Sequence, residues 1–404
     1  MGAGPFQMEL LRAARELAEV VAVDGSARAP GLALADIARV VDVRDTAAVV
    51  AVARELGVRG VATAASDVAV PAVSAVVETL GLVGLRSDVS ERCRDKLQAF
   101  EAVQAAGLAV PKTRGVGDLA QAQVAVSELG GYPVVIKPRS GGGGRGVSVV
   151  QSLEQLAPAF ARAQANYVGS GEGGVLVQQW VDGRSLGAEV FLVGGEPRAL
   201  FVLDDQFEPG FVSPVGHSLP PQIDEATAEE VAATVTAFGK ALGLSDGGVN
   251  FDLRVAKGRT VLIEVNPRLG GNSITDLIRS AYGADMARAA ALCALGRDPT
   301  PALQRASNQA VAARLILKPG SGIARYEQSL DEIAARADVI ALDLTVRDGE
   351  PSSLHVDDFC LLGRCLVKAR STAGAAELAE RIAHQVAASI RLDSRPRTGG
   401  HDGG

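Results

Sequence analysis

Cysteine is scarce and poorly placed for chemistry. Cys93, Cys293, Cys360 and Cys365 are scattered, and the closest pair has four residues between it, which fits neither a CxxC redox pair nor half of a zinc site. Reduced thiols in a cytoplasm are the reading that follows. Long apolar runs are missing too. The most hydrophobic stretch, Val61 to Leu85, is interrupted by Asp67, Pro71 and Glu78 and dominated by small residues, so it cannot span a bilayer. The N-terminus has no basic n-region, and Phe6 stands where a myristoylation signal needs Ser or Thr. There is no positive excess, since a net charge of -7 gives no footprint for nucleic acid or an anionic membrane surface. These absences lead us to expect a cytoplasmic protein with neither kind of partner. What is present is ordinary: 404 residues, 47% hydrophobic and 22% charged, enough for roughly two to four domains with real cores.

From Gly2 to about Ser90 helix and strand patterns alternate. "FQMELLRAARELA" has helical spacing, "EVVAVDG" is a short β-branched run, "DTAAVVAVARELG" is helical, and "GVATAA" is expected to be another buried strand, a rhythm that predicts a parallel α/β unit. Its opening "GAGPFQ" resembles the turn between a first strand and a first helix, yet only Met1 precedes it. Either the true start lies upstream or this sheet is one strand short. "DKLQAFEAVQAAGLAVPKT" then reads as a helix ended by Gly107. Strand runs follow in "YPVVIKP" and "GVSVVQS", a helix in "LEQLAPAFARAQANY", and a hairpin at "LVGGEPRAL". After a further helix, "GVNFDLRVAKGRTVLIEVNPR" reads as two antiparallel strands joined at Lys257-Gly258. A last unit from about residue 300 carries strands near "AARLILK", "VIALDLTV" and "RCLVKARS", then a helix from about Ala375 to Ile390. The tail "DSRPRTGGHDGG" has no apolar content and is expected to be disordered.

The segment "KPRSGGGGRGVS" is a slack linker or a phosphate cradle. No Lys-Ser or Lys-Thr follows the glycines, which excludes a Walker A loop, and the strand-like "VSVV" behind them excludes the strand-glycine-helix order of a Rossmann fingerprint. A glycine-rich hairpin turn remains, able to offer backbone N–H groups to anionic oxygens, with Lys137 aiming a cation at the same place.

A second cluster bears on that choice. Residues two apart on a strand share a face, so Glu264 and Asn266 point the same way, and pairing across the Lys257-Gly258 turn brings Asp252 alongside. Hard oxygen donors on one face suit Mg²⁺ bound partly through substrate phosphates. Arg268, two further along, continues that face with a planar cation fitted to carboxylate or phosphoryl oxygens. Solvated strand charges followed by an Asn266-Pro267 turn are the alternative.

In this order and with these separations, Lys96 in "DK", Lys137 in "VIKP", the loop Ser140 to Ser148, the hinge "VQQWVDG", Asp252 and "IEVNPRLGG" resemble the ATP-grasp ligases over nearly the whole chain. The resemblance implies an α/β chain with a Rossmann-like N-terminal domain (1–92), a two-lobed ATP-grasp fold (93–300, its lid subdomain about 113–178), a small C-terminal α/β domain (301–392) and the tail 393–404. It implies ATP and Mg²⁺ as cofactors, two ions, with Mn²⁺ as a substitute. Lys96 and Lys137 would contact the phosphates, and Ser140, Gly141, Gly142, Gly143, Gly144, Gly146 and Val147 would close over them. The hinge Gln178, Gln179, Trp180 and Val181 would hold adenine through backbone groups of Gln179 and Val181. Asp252, Glu264 and Asn266 would bind metal, and Arg268, with Lys137, would serve catalysis by steadying a phosphorylated carboxylate. Departures accompany the match: Gln178 and Ser185 stand where an acid is usual, and Asp205 replaces a common lysine.

The chemistry implied is activation of a carboxylate by the γ-phosphate of ATP and its capture by an amine, both small molecules. "FVSPVGHSLP", "NPRLGGNSITDLI" and the strands after Arg314 look most like the branch joining amino acids, with His217, Glu189, Gly270, Gly271, Asn272 and Arg314 as candidate substrate contacts. A structural histidine is an equal reading of His217, for which the sequence identifies no proton-transfer partner. A bicarbonate-activating or purine-pathway enzyme and a non-catalytic nucleotide-binding protein are the alternatives. Similar ligases are often dimers, which carries over the expectation of a homodimer.

Overall fold

The computed structural model describes residues 1–169, 173–352, 355–356 and 359–393. The expected disorder of the tail falls almost wholly outside them. Asp393, its first residue, is ordered in strand Ile390–Asp393, so the last helix, Thr372–Ala388, stops short of Ile390.

The N-terminal unit is a parallel pair, Val21–Asp24 with Ile37–Val40, packed with helices Met8–Arg15, Thr46–Glu55 and Val70–Leu80. The expected strand in "GVATAA" does not form. The Met1 amine donates to Ala62 O at 2.7 Å, and Ala65 N donates to Leu269 O at 3.0 Å. Each side of the run meets isolated backbone groups, so no ladder develops, although Ala64 is buried.

Aspartates open several helices by accepting from backbone N–H groups that the first turn leaves unpaired, among them Asp45 (from Ala48), Asp95 (from Leu97 and Gln98) and Asp224 (from Thr227). Gly107 adopts φ +76° just past helix Lys96–Ala105 and ends it.

A four-stranded antiparallel sheet, ordered Thr113–Val116, Val175–Gln179, Val134–Pro138, Ser148–Val150, forms one lobe. Helices Leu119–Glu128 and Leu153–Ala165 cover it through a core that includes Ile136, Leu156 and Val177.

The second lobe is a nine-stranded sheet. It runs from hairpin Gly247–Ala256/Arg259–Asn266 through Arg184–Val193, Glu196–Gln206 and Gly216–Leu219 to Ala310–Pro319, Phe359–Ala369 and Val339–Leu344, with His355–Val356 paired to Phe359–Ala369. The C-terminal strands thus continue this sheet. Alternation along each strand sorts its two faces. Leu186, Ala188, Phe251, Leu253 and Leu262 meet helices Lys96–Ala105 and Glu225–Leu242. Phe201, Leu203, Leu219 and Ala313 meet Ile274–Tyr282 and Met286–Ala294. Each such side chain stabilises the fold by about 1.5–3 kcal/mol when fully buried, alanine less. No helix among the described residues is long and apolar enough to cross a membrane.

Candidate active site

The register of the acidic hairpin pairs Asp252 with Glu264 and Asn250 with Asn266, so the three expected metal-binding residues share a face. One residue later the ladder slips: Leu253 pairs with Leu262, leaving Ile263 as a bulge. Leu262 therefore joins the apolar core while Glu264, two residues on, turns to the opposite side. Asp252 is pushed well above the ordinary carboxylate range by burial and by the neighbouring Glu264 and Asp205 charges. Crowded carboxylates with an amide beside them are a donor set that a divalent cation relieves, so the residues present fit Mg²⁺.

Two lysines close on the same point. Lys96 opens its helix, where the dipole disfavours a cation, yet its Nζ lies 3.2 Å from Glu264 Oε1 and donates to Gly141 O at 2.9 Å. Lys137 is buried, with Nζ 3.4 Å from Ile263 O and 5.0 Å from the Phe100 ring centroid. Burial pushes its ammonium down to about 7, against the pull of Glu264. A phosphate arriving here would meet cations with little competing hydration.

The glycine loop is packed rather than slack. Gly141, Gly143, Gly144 and Gly146 have φ from +68° to +134°, conformations that disfavour side chains. A Cβ on Gly142 would lie 2.2 Å from Asp67 Oδ2, and one on Gly144 2.2 Å from Ser213 Oγ. Ser140 Oγ donates to Val168 O, and Val147 N closes a turn onto Gly144 O at 3.1 Å. Lys96, Gly141, Gly142, Glu264 and Asn266 line a cavity of about 280 Å³. Gly144→Val is expected to raise the KM for ATP about tenfold, because a left-handed non-glycine residue costs roughly 1–2 kcal/mol. Steady-state ADP kinetics would check this, beside a melting curve lowered by no more than the few degrees that the same strain costs the ligand-free fold.

At the hinge, Gln178 is buried and donates through Nε2 to Thr113 Oγ1 at 3.0 Å. The Gln179 N–H is taken by Lys112 O at 2.9 Å. Val181 follows, half-buried, and Trp180 lies under the Arg254 guanidinium, 5.3 Å from ring centroid to carbon.

Arg268 departs from the lone role expected of it. Its Nε and Nη2 both reach Asp67 Oδ1, at 2.8 and 2.7 Å, so a residue of the N-terminal unit fixes the guanidinium at the acidic hairpin. Asp67 carried no sequence signal beyond breaking an apolar run. Arg139 was equally silent. Its Nε and Nη2 donate to Asp95 at 2.7–2.9 Å, tying the base of the glycine loop to the helix that Lys96 opens.

The candidate substrate residues divide. Glu189, Gly270, Gly271 and Asn272 come together at the loop after Arg268. Gly270 N donates to Glu189 Oε1 at 2.9 Å, a Cβ on Gly271 would sit 3.3 Å from Ala65 Cβ, and Asn272, at φ +50°, donates to Pro214 O at 3.3 Å. Glu189 Oε2 is buried without a partner among the described residues, and burial pushes the carboxyl up to about 8. A raised native pKa favours folding below the unfolded value and loses that advantage as pH climbs from about 4.5 to about 8. Glu189→Gln removes this titration, so its melting temperature is expected to gain on wild type across that window, as scans at several pH values would show.

His217 has the partner the sequence did not reveal: its Nδ1 is 3.0 Å from Asp205 Oδ1. Arg314 is set apart. It lies opposite Gly216, so it faces away from His217 and from the metal hairpin, and it is held by Gln206 Oε1 at 3.3 Å and by Glu208.

A lobe carrying a glycine loop, a second sheet carrying paired carboxylates, and lysines between the two form a site whose donors suit phosphate oxygens and a divalent cation. Comparison with known proteins makes that specific. The model of the ATP-grasp domain matches residues 130–276. A D-alanine–D-alanine ligase of Desulforudis audaxviator is 31% identical over 236 residues, 55% of this chain and 72% of that protein. Human carnosine synthase 1 is 30% identical over 224 residues, 52% of this chain but only 26% of that longer protein. In structure, an L-amino acid ligase of Bacillus licheniformis superposes with a TM-score of 0.77 at 20% identity, covering 96% of each chain. The chain belongs to the ATP-grasp family, whose members include ADP-forming carbon–nitrogen ligases that use ATP and Mg²⁺.

Proposed function

We propose that the protein uses ATP to convert a carboxylate, that of an amino acid, into an acyl phosphate and couples it to an amine, forming an amide or peptide bond and releasing ADP and phosphate. The observation that carries this reading is the convergence on Lys96: the Glu264 carboxylate, register-paired with Asp252, and the Gly141 carbonyl of the lid both meet its ammonium. On this reading residues 93–300 form the nucleotide core, with about 113–178 as its lid, between the units 1–92 and 301–392.

Direct attack of an amine on a carboxylate fails because oxide is a hopeless leaving group, whereas phosphate leaves readily. Mg²⁺ held by Asp252, Glu264 and Asn266, two ions in our reading, would neutralise charge on the transferring phosphoryl group. Lys96 and Lys137 add fixed positive charge at the same place, and the glycine loop keeps water from the acyl phosphate. Arg268, aimed by Asp67, steadies the activated carboxylate through its planar fork. The names of the relatives favour amino acids as substrates.

The test is ADP release over pairs of amino acids, with mass spectrometry of the products. Amine-dependent ADP and a product heavier by one residue are expected. ADP release driven by bicarbonate with no amine present would overturn the reading.

A further inference from the structure

We propose that His217, oriented by Asp205, is the general base that deprotonates the attacking amine, an assignment that rests on the amine-ligase reading above. Amines arrive at neutral pH as ammonium ions, which have no lone pair with which to attack. The acyl phosphate therefore needs a proton acceptor near it, on the side away from ATP.

The pair is built for that task. His217 and Asp205 are register partners on adjacent strands, with side chains only 6% and 2% exposed. Both carboxylate oxygens are engaged, Oδ1 by His217 Nδ1 at 3.0 Å and Oδ2 by Ser185 Oγ at 2.7 Å. A carboxylate on Nδ1 places the proton there and turns the basic lone pair to Nε2. Nε2 has no hydrogen-bond partner among the described residues, and it is not sealed away as Glu189 Oε2 and Gln206 Nε2 are.

Its position follows from the sheet. Gly187 is the register partner of Asp252, and a Cβ there would be 3.5 Å from Asp205 Oδ1, so the carboxylate lies over this glycine between the metal hairpin and His217. Strand Ala310–Pro319 presents Ala313 to His217. Helix Ile274–Tyr282 carries Asp276 and Arg279, which are engaged with Arg364 and Glu9. Arg314, Glu380 and His384 lie on the other face. Asp205 is thus the charged group hydrogen-bonded to the ring.

In the step itself, Nε2 takes one proton from the ammonium. The freed amine forms the C–N bond as the C–O bond to phosphate breaks, and the second nitrogen-bound proton leaves with the phosphate as HPO₄²⁻. The imidazolium, stabilised by Asp205, returns its proton to solvent. Asp205 is a positioning residue, since it acts only through the ring.

The experiment compares two acceptors, with MgATP and each protein amino acid in turn as the carboxylate. Hydroxylamine is weakly basic and arrives unprotonated, so hydroxamate formation reports acyl phosphate without a base. A second amino acid reports the full reaction. His217→Gln is expected to retain hydroxamate formation within a few-fold of wild type while coupling at pH 7 falls about a hundredfold or more. The lost rate should return as pH rises towards the amine's own pKa. Asp205→Asn should show a smaller loss with a displaced pH profile. Coupling by His217→Gln at the wild-type rate, or loss of hydroxamate and coupling in equal measure, overturns the base assignment alone. A wild type that yields no hydroxamate with any amino acid overturns the amine-ligase reading and the base with it.

Discussion

Glu264→Gln is expected to leave the chain folded and to cut ADP formation roughly a thousandfold with any acceptor, in the range seen when a single preorganised charge is removed from a transition state. Three consequences of the substitution combine. The proposed cation site loses its second carboxylate, Lys96 loses the anion 3.2 Å from its Nζ, and Asp252 loses the neighbour that crowds it. The first two damage phosphoryl transfer, while the third relieves the metal-free protein, so the melting temperature without Mg²⁺ should hold or rise. A coupled ADP assay beside thermal unfolding separates these effects. Activity within tenfold of wild type would remove Glu264 from the metal site.

Arg268→Lys has the next largest expected effect. The guanidinium is fixed by two contacts to Asp67 Oδ1 and by Nη1 donating to Leu269 O at 3.2 Å, and in the proposed reaction its planar fork is what recognises a carboxylate or phosphoryl group. Lysine keeps the charge but loses the fork. We expect kcat to fall about a hundredfold with the KM for ATP nearly unchanged, since the lid and hinge contacts are untouched. Asp67→Asn should move kcat in the same direction by less, because Asp67 acts only by aiming the arginine. An unchanged kcat in Arg268→Lys would reduce Arg268 to an inter-unit strut.

How much of this was legible in the sequence depends on how locally each feature is encoded. The Asp252–Glu264 pairing could be read because one tight turn at Lys257-Gly258 fixes the register of both strands. Lys137 was legible from the strand ahead of the glycines. Partners brought together by long-range packing were not legible: Asp67 reaches Arg268 across 201 residues, and Arg139 reaches Asp95 across 44. Asp205 and His217 are only 12 residues apart, but a loop intervenes and nothing in its letters announces the pairing. The same limit explains "GVATAA", whose composition suits a strand but whose neighbours offer isolated backbone groups instead of a ladder. The face that Arg314 occupies was not legible either, because it depends on the pairing of three strands.

The bulge at Ile263 acts as a phase shifter. Ahead of it Leu253 and Leu262 pair on the side of the oily interior; behind it Asp252 and Glu264 pair on the other side, while Phe251 and Val265 return to the core. Packing and chemistry can therefore vary independently on one pair of strands. Residues two apart on a regular strand share a face, so it is this single extra residue that sends Leu262 and Glu264 to opposite sides.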